Sequence, residues 1–265
     1  MCTIIVRHQM DDWCSTIIAS NRDEFYDRAA SGPVVLRSTP LIVGGRDEQE
    51  GGTWFGLTGD GLFAGLTNQR SFGTRSDSLR SRGGLVVDAL AQGSLEGVKR
   101  YLNRVDPASY NEFNLIFGDG ERVGVAYGRR DGREVELEML GGGVHVLCND
   151  RIDSPEFPKA ARARARVISI PPDPWPRIKE RLVEVLSDES LPDSSEVPPL
   201  PPGAPFDQEV ARHLQAIYVR TPVYGTVSST IAAVSPGRVE QYQFTEGPPS
   251  DDGFEDMIDL TRGAG

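Results

Sequence analysis

The stretch MCTIIVRHQMDDWCSTIIASNRDEF, residues 1–25, decides the fold because it predicts a β-hairpin that begins at the start of the chain. Residues 2–7 (CTIIVR) and 13–19 (WCSTIIA) are rich in β-branched side chains, and a polar turn at 9–12 separates them. The polar residues 20–24 follow the second run directly, which predicts either a solvated turn or a functional group aimed at the strand that carries Cys2.

Hairpin signals continue along the first two-thirds of the chain and helices interrupt them. Residues 53–57 and 62–67 flank Gly59-Asp60-Gly61, a strong hairpin turn. Four more strand-like runs follow at 113–117, 122–127, 134–139 and 144–147. Apolar residues at helical spacing predict helices at 81–91, with Ser81 as the cap, and at 95–102, 158–168, 175–186 and 206–218. A last strand pair is predicted at 227–234 and 239–244.

This order of elements predicts one α+β domain over residues 1–245. Helices placed between runs of antiparallel strands indicate layered sheets with the helices outside. Residues 246–265 are acidic and begin with a Gly- and Pro-containing stretch, so we expect a loosely held C-terminal tail.

Composition restricts the class of function. The 265 residues carry a formal net charge of −11, which argues against a general nucleic-acid binder. No stretch approaches the roughly 20 apolar residues of a membrane helix, and the N-terminus has no secretory signal. Three cysteines without CxxC spacing fit a reducing compartment, and the three histidines lack metal-binding spacing. We therefore expect a cytoplasmic protein with a small-molecule ligand and with no metal or cofactor.

Cys2 is the most distinctive candidate for chemistry. Its small side chain favours removal of Met1, after which Cys2 carries a thiol and a free α-amine on one backbone unit. The amine can take the thiol proton and later protonate a leaving group, so one residue supplies nucleophile and base. The alternative is an inert cysteine packed in a strand.

Three further groups of residues are candidates. Arg22 would lower the pKa of a nearby thiol, and Asp23 would orient the α-ammonium. Asn68 and Asn149 end predicted strands, where they are either turn residues or amide donors to an oxyanion. Arg70, Arg75, Arg80 and Arg82 form a locally basic stretch, which indicates either an anionic ligand or pairing with surface acids.

Several motifs together resemble the NRDE family, which is related to the transport and Golgi organisation proteins of eukaryotes. The motifs cover most of the chain in the family's order: MCTIIV at 1–6, SNRDEF at 20–25, GGTWFGLTGDGLFAGLTN at 51–68, SRG at 81–83 and CND at 148–150. The tetrapeptide that names the family is intact at 21–24.

The family in turn resembles the N-terminal-nucleophile hydrolases, especially the penicillin V and bile-salt amidases. This resemblance implies a four-layer αββα sandwich of antiparallel sheets and hydrolysis of a linear amide by acyl transfer to Cys2. It also implies roles for several residues: Arg22 and Asp23 beside the nucleophile, Asn68 as oxyanion donor, and Asn149 as holder of the α-amine or substrate. Separately, we expect the substrate to be bound by Glu24, Trp54, Arg70, Arg80 and Arg82.

Two other classes of function stay open. The eukaryotic relatives imply a non-catalytic protein that binds and carries lipid, acyl-CoA or haem on the same fold. A structural or interaction domain with an inert Cys2 is the third class. Family members usually carry an Arg where this chain has Val227, so part of the family's function is expected to differ here.

Overall fold

The computed structural model describes residues 2–70, 76–250 and 253–263. Its strands, in chain order, are β1 (Thr3–His8), β2 (Thr16–Phe25), β3 (Ala30–Ser38), β4 (Leu41–Asp47), β5 (Phe55–Thr58), β6 (Phe63–Asn68), β7 (Phe113–Gly118), β8 (Val123–Gly128), β9 (Glu136–Leu140), β10 (Gly143–Leu147), β11 (Tyr224–Ser235), β12 (Arg238–Glu246) and β13 (Glu255–Asp256). Its α-helices are α1 (Gly83–Leu90), α2 (Leu95–Leu102), α3 (Pro158–Ile168), α4 (Trp175–Leu186) and α5 (Gln208–His213).

The strands form two antiparallel sheets that pack face to face. The first has the order β10-β1-β2-β11-β12-β13, and the second runs in sequence from β3 to β9. Helices α3 and α4 pack on the outer face of the first sheet, and α1 and α2 pack on the outer face of the second. A third apolar cluster fills the space between the sheets. The predicted α+β fold, a four-layer αββα sandwich, is confirmed.

The β1–β2 hairpin lies in the middle of the first sheet. β1 pairs with β2 from Thr3↔Asn21 to His8↔Thr16, and β2 pairs with β11 on its other side. Because strand side chains alternate, Ile4 and Ile18 face the second sheet, whereas Ile5 and Ile17 face the helices. The same alternation assigns a face to each polar residue that follows along β2.

β2 is longer than the sequence predicts, since it continues to Phe25 and includes residues 20–24. The expected solvated turn is therefore wrong. Asn21 and Asp23 are buried, and their side chains find partners inside the protein: Asn21 Nδ2 donates to the carbonyls of Leu186 and Ile217. These internal hydrogen bonds allow a polar tetrapeptide to remain in a central strand.

Two strands of the second sheet, β3 and β4, were not predicted. β3 is an edge strand with an irregular register around Pro33, and β4 contains the pair Gly44-Gly45. Proline and glycine are typical of loops, which obscures a strand signal here.

Three local expectations also differ. Ser81 does not cap α1, whose N-cap position is Arg82 without a side-chain cap, and α5 is limited to Gln208–His213. In the tail, β13 pairs with β12, and Phe254 and Thr261 are buried, so residues 253–262 pack on the domain rather than lying loose. Within the described ranges, no helix is long and apolar enough to cross a membrane.

Candidate active site

A cavity of about 690 Å³ opens where strands of both sheets end. This volume lies within the range of about 300–1,000 Å³ that is typical of small-molecule sites. Its wall includes most of the residues singled out from the sequence: Cys2, Arg22, Asp23, Glu24, Trp54, Asn68, Arg80 and Arg82. Asn149 and Arg70 are not among the described lining residues.

Cys2 directly precedes β1 and is partly exposed to this cavity. Burial raises the pKa of its thiol, and the Asp23 carboxylate adds to this effect. The backbone N–H of Asp23 and the Arg22 guanidinium lower the pKa without reversing the shift. Arg22 therefore acts in the expected direction, but burial dominates. The thiol needs a base to become a nucleophile near neutral pH.

Arg22 faces the second sheet and is held against Trp54. Its guanidinium carbon lies 4.3 Å from the centroid of the indole ring, in cation–π geometry. A Cβ atom at Gly45 would lie 2.2 Å from the Trp54 ring, so Trp54 can occupy this position only because residue 45 is glycine. The strand end and the opposite sheet together orient the cation beside Cys2.

Asp23 faces the helical layer and is 2% exposed. Its Oδ1 accepts a hydrogen bond from Thr226 Oγ1 at 2.7 Å, and its Oδ2 lies 3.7 Å from Lys159 Nζ. Burial raises the pKa of the Asp23 carboxyl, while the Lys159 charge and the Thr226 hydrogen bond oppose that rise. The result is a buried carboxylate next to Cys2, balanced by a buried cation.

The two asparagines are adjacent. Asn68 is the last residue of β6, is exposed, and lines the cavity. Asn149 is buried behind it and donates from Nδ2 to the Asn68 carbonyl at 2.7 Å. Asn149 Oδ1 is buried and makes no hydrogen bond within the described residues. Asn149 thus fixes the strand end that carries Asn68.

The basic stretch does not act as one group. Arg70 is paired with Glu156 and stacks over the Phe157 ring at 4.7 Å, away from the described wall of the cavity. Arg80 stacks over Tyr110 at 5.1 Å, and Arg82 donates to the Glu112 carbonyl at 3.2 Å. Both line the cavity, whereas Arg75 lies outside the described residues.

The described wall has balanced charge and a large apolar part. Its charged residues are four arginines (Arg22, Arg28, Arg80, Arg82) and five carboxylates (Asp23, Glu24, Asp47, Glu50, Asp77), so charge alone does not select an anion. Glu24 lies 3.7 Å from Arg28. The apolar part includes Phe25, Trp54, Leu66, Leu79, Phe206, Val210, Leu214 and Val223.

Lys159 is the main residue that the sequence analysis missed. It stands in PKAARARA, where the arginines 162, 164 and 166 suggest a solvated helix face. The signal lies in the spacing: Lys159 shares a stripe with Ala163 and Val167, at i, i+4 and i+8, and all three are buried.

Val227 stands on β11 at the position where family members usually carry an Arg. It is half-buried at a register irregularity and is absent from the described cavity wall.

Comparison with known proteins identifies relatives of this chain. A family model described as Transport and Golgi organisation 2 matches residues 1–247. The Transport and Golgi organization protein 2 homolog of Bos taurus is 32% identical over 235 residues, which cover 82% of this chain and 81% of the relative. The homolog of Homo sapiens is 32% identical over 237 residues, with the same coverage of 82% and 81%.

Solved structures with the same fold include an acid amidase and a bile acid hydrolase. An N-acylethanolamine-hydrolyzing acid amidase ortholog of Caenorhabditis elegans aligns with a TM-score of 0.51 and 17% identity, over 87% of this chain and 92% of that one. A variant of the conjugated bile acid hydrolase of Clostridium perfringens aligns with a TM-score of 0.52 and 12% identity, over 98% and 94%. At these identities the likeness shows the fold alone.

Proposed function

This chain belongs to the Transport and Golgi organisation 2 family, and we propose that it is a cysteine hydrolase that cleaves a linear amide by acyl transfer to Cys2. The observation that carries the proposal is the meeting of Cys2, Arg22, Asp23 and Asn68 at one cavity, with Asn149 bonded to Asn68. The NRDE tetrapeptide at 21–24 supplies two of these residues.

The proposed reaction begins after removal of Met1. The α-amine of Cys2 takes the thiol proton, and the thiolate attacks the amide carbonyl carbon. Asn68 donates to the resulting oxyanion, which its position in the cavity wall allows. The C–N bond then breaks, and the α-ammonium gives its proton to the departing nitrogen. A water molecule, deprotonated by the same amine, attacks the thioester and releases the carboxylic acid and the free thiol.

The raised pKa of the Cys2 thiol supports this assignment of roles. A buried neutral thiol is a poor nucleophile by itself, whereas an adjacent α-amine with a pKa of about 7.7–8.0 is a suitable base near neutral pH. Asp23 then stabilises the α-ammonium that forms. Arg22, held by Trp54, balances the negative charge that develops at sulfur.

The cavity suggests an amphipathic small-molecule substrate. Its apolar wall of Phe25, Phe206, Val210 and Val223 suits an acyl chain, and Arg80 and Arg82 suit a polar or anionic group at the other part of the molecule. We place the protein in the cytoplasm, because Cys14 and Cys148 are free and buried and no disulfide forms.

Labelling with a thiol-reactive acyl probe tests the proposal. We expect one acyl group on Cys2, its loss in Cys2→Ala and its retention in the matched control Cys148→Ala. Turnover of a panel of N-acyl amides should disappear in Cys2→Ala alone. The proposed hydrolase would be contradicted if neither cysteine is stably labelled and if the unmodified protein, Cys2→Ala and Cys148→Ala all show the same background turnover.

A second candidate function is binding and transport of a lipid, an acyl-CoA or haem without catalysis. The extent of the apolar wall favours it, since such a wall suits a ligand that is carried as well as one that is cleaved. Spectral titration with haem and with acyl-CoA separates the candidates. Saturable binding with no turnover, unchanged in Cys2→Ala, would favour the carrier.

A further inference from the structure

Lys159 is a fully buried cation that the proposed reaction does not use. It is the second residue of α3, and its side chain is 0% exposed. Its Nζ lies 3.7 Å from Asp23 Oδ2, within ion-pair distance of this carboxylate. A buried charge is costly unless it is paired, so its position next to one particular carboxylate requires an explanation.

The geometry separates Lys159 from the cavity and connects it to Asp23. Asp23 points from β2 towards the helical layer, and Lys159 approaches it from α3 on that side. Cys2 and Arg22 line the cavity, whereas Lys159 is not among its described lining residues. Lys159 therefore reaches the thiol only through Asp23.

We propose that Lys159 is a positioning residue of the Cys2 site, whose ammonium keeps Asp23 ionised so that this carboxylate can hold the α-ammonium of the processed Cys2. This role rests on the proposed amide hydrolysis. It assigns the Lys159–Asp23 pair to the chemistry of the site rather than to fold stability, because the desolvation cost of a buried pair offsets its attraction.

Other groups around Asp23 do not replace Lys159. Cys2 and Cys148 contribute thiols, Tyr218 contributes a phenol, and each of these groups is neutral or becomes negative. The N-terminal ammonium also lowers the Asp23 pKa, but by less than Lys159 does. Thr226 donates a neutral hydrogen bond. Burial raises the pKa of the Asp23 carboxyl, and Lys159 is the largest influence against that rise. Without Lys159, Asp23 would hold its proton to higher pH.

The experiment follows the titration of Asp23 by NMR of full-length protein labelled with ¹³C in its aspartate carboxyls. The Asp23 signal is assigned by its loss in Asp23→Asn. In Lys159→Met, the midpoint should move to higher pH by about one unit or more, the effect typical of losing an opposite charge at 4–6 Å. It should stay in place in Lys159→Arg and in the control Arg164→Met on the same helix. Lys159→Gln serves if Lys159→Met does not fold.

Hydrolysis of an N-acyl amide supplies the second readout. The acidic limb of kcat/KM should move to higher pH together with the Asp23 midpoint, and Lys159→Met should cause no further loss of rate in an Asp23→Asn background. An unshifted Asp23 midpoint, or a shifted midpoint with an unshifted acidic limb, would overturn the role of Lys159. Absence of turnover in the unmodified protein would instead refute the hydrolase, while the NMR titration would still decide the coupling.

Discussion

The two ends of the β1–β2 hairpin both bury charged residues, but they treat them differently. At the turn end, Arg7 is 1% exposed and forms an ion pair with Asp11 at 2.6 Å. Its guanidinium also donates to the carbonyls of Val167 and Ile170 at 3.2 and 2.9 Å. All three nitrogens of the Arg7 guanidinium donate hydrogen bonds, either to Asp11 or to these two carbonyls. The contacts join the hairpin to the end of α3.

At the Cys2 end the polar groups are less well matched. Lys159 Nζ lies 3.7 Å from Asp23 Oδ2, compared with 2.6 Å between Arg7 Nε and Asp11 Oδ2. Two buried atoms near Cys2, Asn149 Oδ1 and Ser228 Oγ, have no hydrogen-bond partner within the described residues, and at the turn end Trp13 Nε1 also has none. Asn149 follows β10 and Ser228 belongs to β11, both in the first sheet.

The difference between the two ends distinguishes a buried ion pair that stabilises the fold from one that we expect to serve the site. Folded proteins satisfy nearly all of their buried polar groups, so we expect the looser pairing beside the cavity to be completed by groups that bind there under the proposed function. The turn end of the hairpin is built for stability. The Cys2 end retains hydrogen-bonding capacity that a processed α-ammonium or a substrate can use.

The largest expected effect is at the turn end. Arg7→Met leaves Asp11 as an uncompensated buried charge, and removing one partner of a buried pair typically costs about 3–5 kcal/mol in the free energy of unfolding. Urea denaturation measures this loss. The matched control is Arg177→Met, whose side chain is 75% exposed, and which we expect to change stability by less than about 0.5 kcal/mol. A small effect of Arg7→Met would break the comparison.

Replacing both members of each pair sharpens the contrast. In Asp23→Asn/Lys159→Met the unfolding free energy should change by less than about 1 kcal/mol or should rise, because neutral groups can replace a buried pair without loss. In Arg7→Met/Asp11→Asn it should fall by about 1–3 kcal/mol, because the buried Ile170 carbonyl loses its Arg7 donor, whereas the Val167 carbonyl keeps the Ile170 N–H. Equal losses in the two double variants would contradict the distinction.

The three thiols should differ in reactivity. Burial raises the pKa of Cys14 to about 12 and that of Cys148 to about 11, and both side chains are enclosed. The pKa of Cys2 is also raised, but its thiol opens to the cavity and its α-amine can act as a base. We expect iodoacetamide to modify Cys2 at least about tenfold faster at neutral pH, a difference of about 1.4 kcal/mol in barrier. Equal rates at the three positions would contradict this.

The smallest expected effect concerns the arginines of the basic stretch. Arg82→Ala should raise KM several-fold for an amide with an anionic group, since an exposed charge contact contributes only about 0–1 kcal/mol. Arg70→Ala is the matched control, because Arg70 is paired with Glu156 away from the described cavity wall. Equal KM values in Arg82→Ala and Arg70→Ala would contradict substrate binding by the basic stretch and would indicate that it is a solvated surface.

The sequence predicted the layered fold, because hairpin turns and strand periodicity are local signals. It did not predict β3 and β4, whose prolines and glycines resemble loops, or the continuation of β2 through residues 20–24. That continuation depends on tertiary hydrogen bonds, such as those from Asn21 to the carbonyls of Leu186 and Ile217, more than 150 residues away.

The difference between local signals and contacts with distant residues also explains which features of the site the sequence could indicate and which it could not. Cys2, Arg22, Asp23 and Asn68 lie at or near strand ends and line one cavity, and their roles there stay a prediction. The separation of Arg70 from Arg80 and Arg82 depends on Glu156, a distant residue, and was not foreseeable from spacing. The importance of Lys159 follows only from the helix stripe on which it lies.

The central claim is that Cys2 works as the N-terminal residue of the mature chain, and intact-mass spectrometry of protein purified from its native host tests it most directly. We expect a single species that lacks Met1, because only then does the α-amine of Cys2 exist to serve as the base. A mass that includes Met1 would contradict the acyl-transfer mechanism and would leave the αββα fold with its cavity as a binding site.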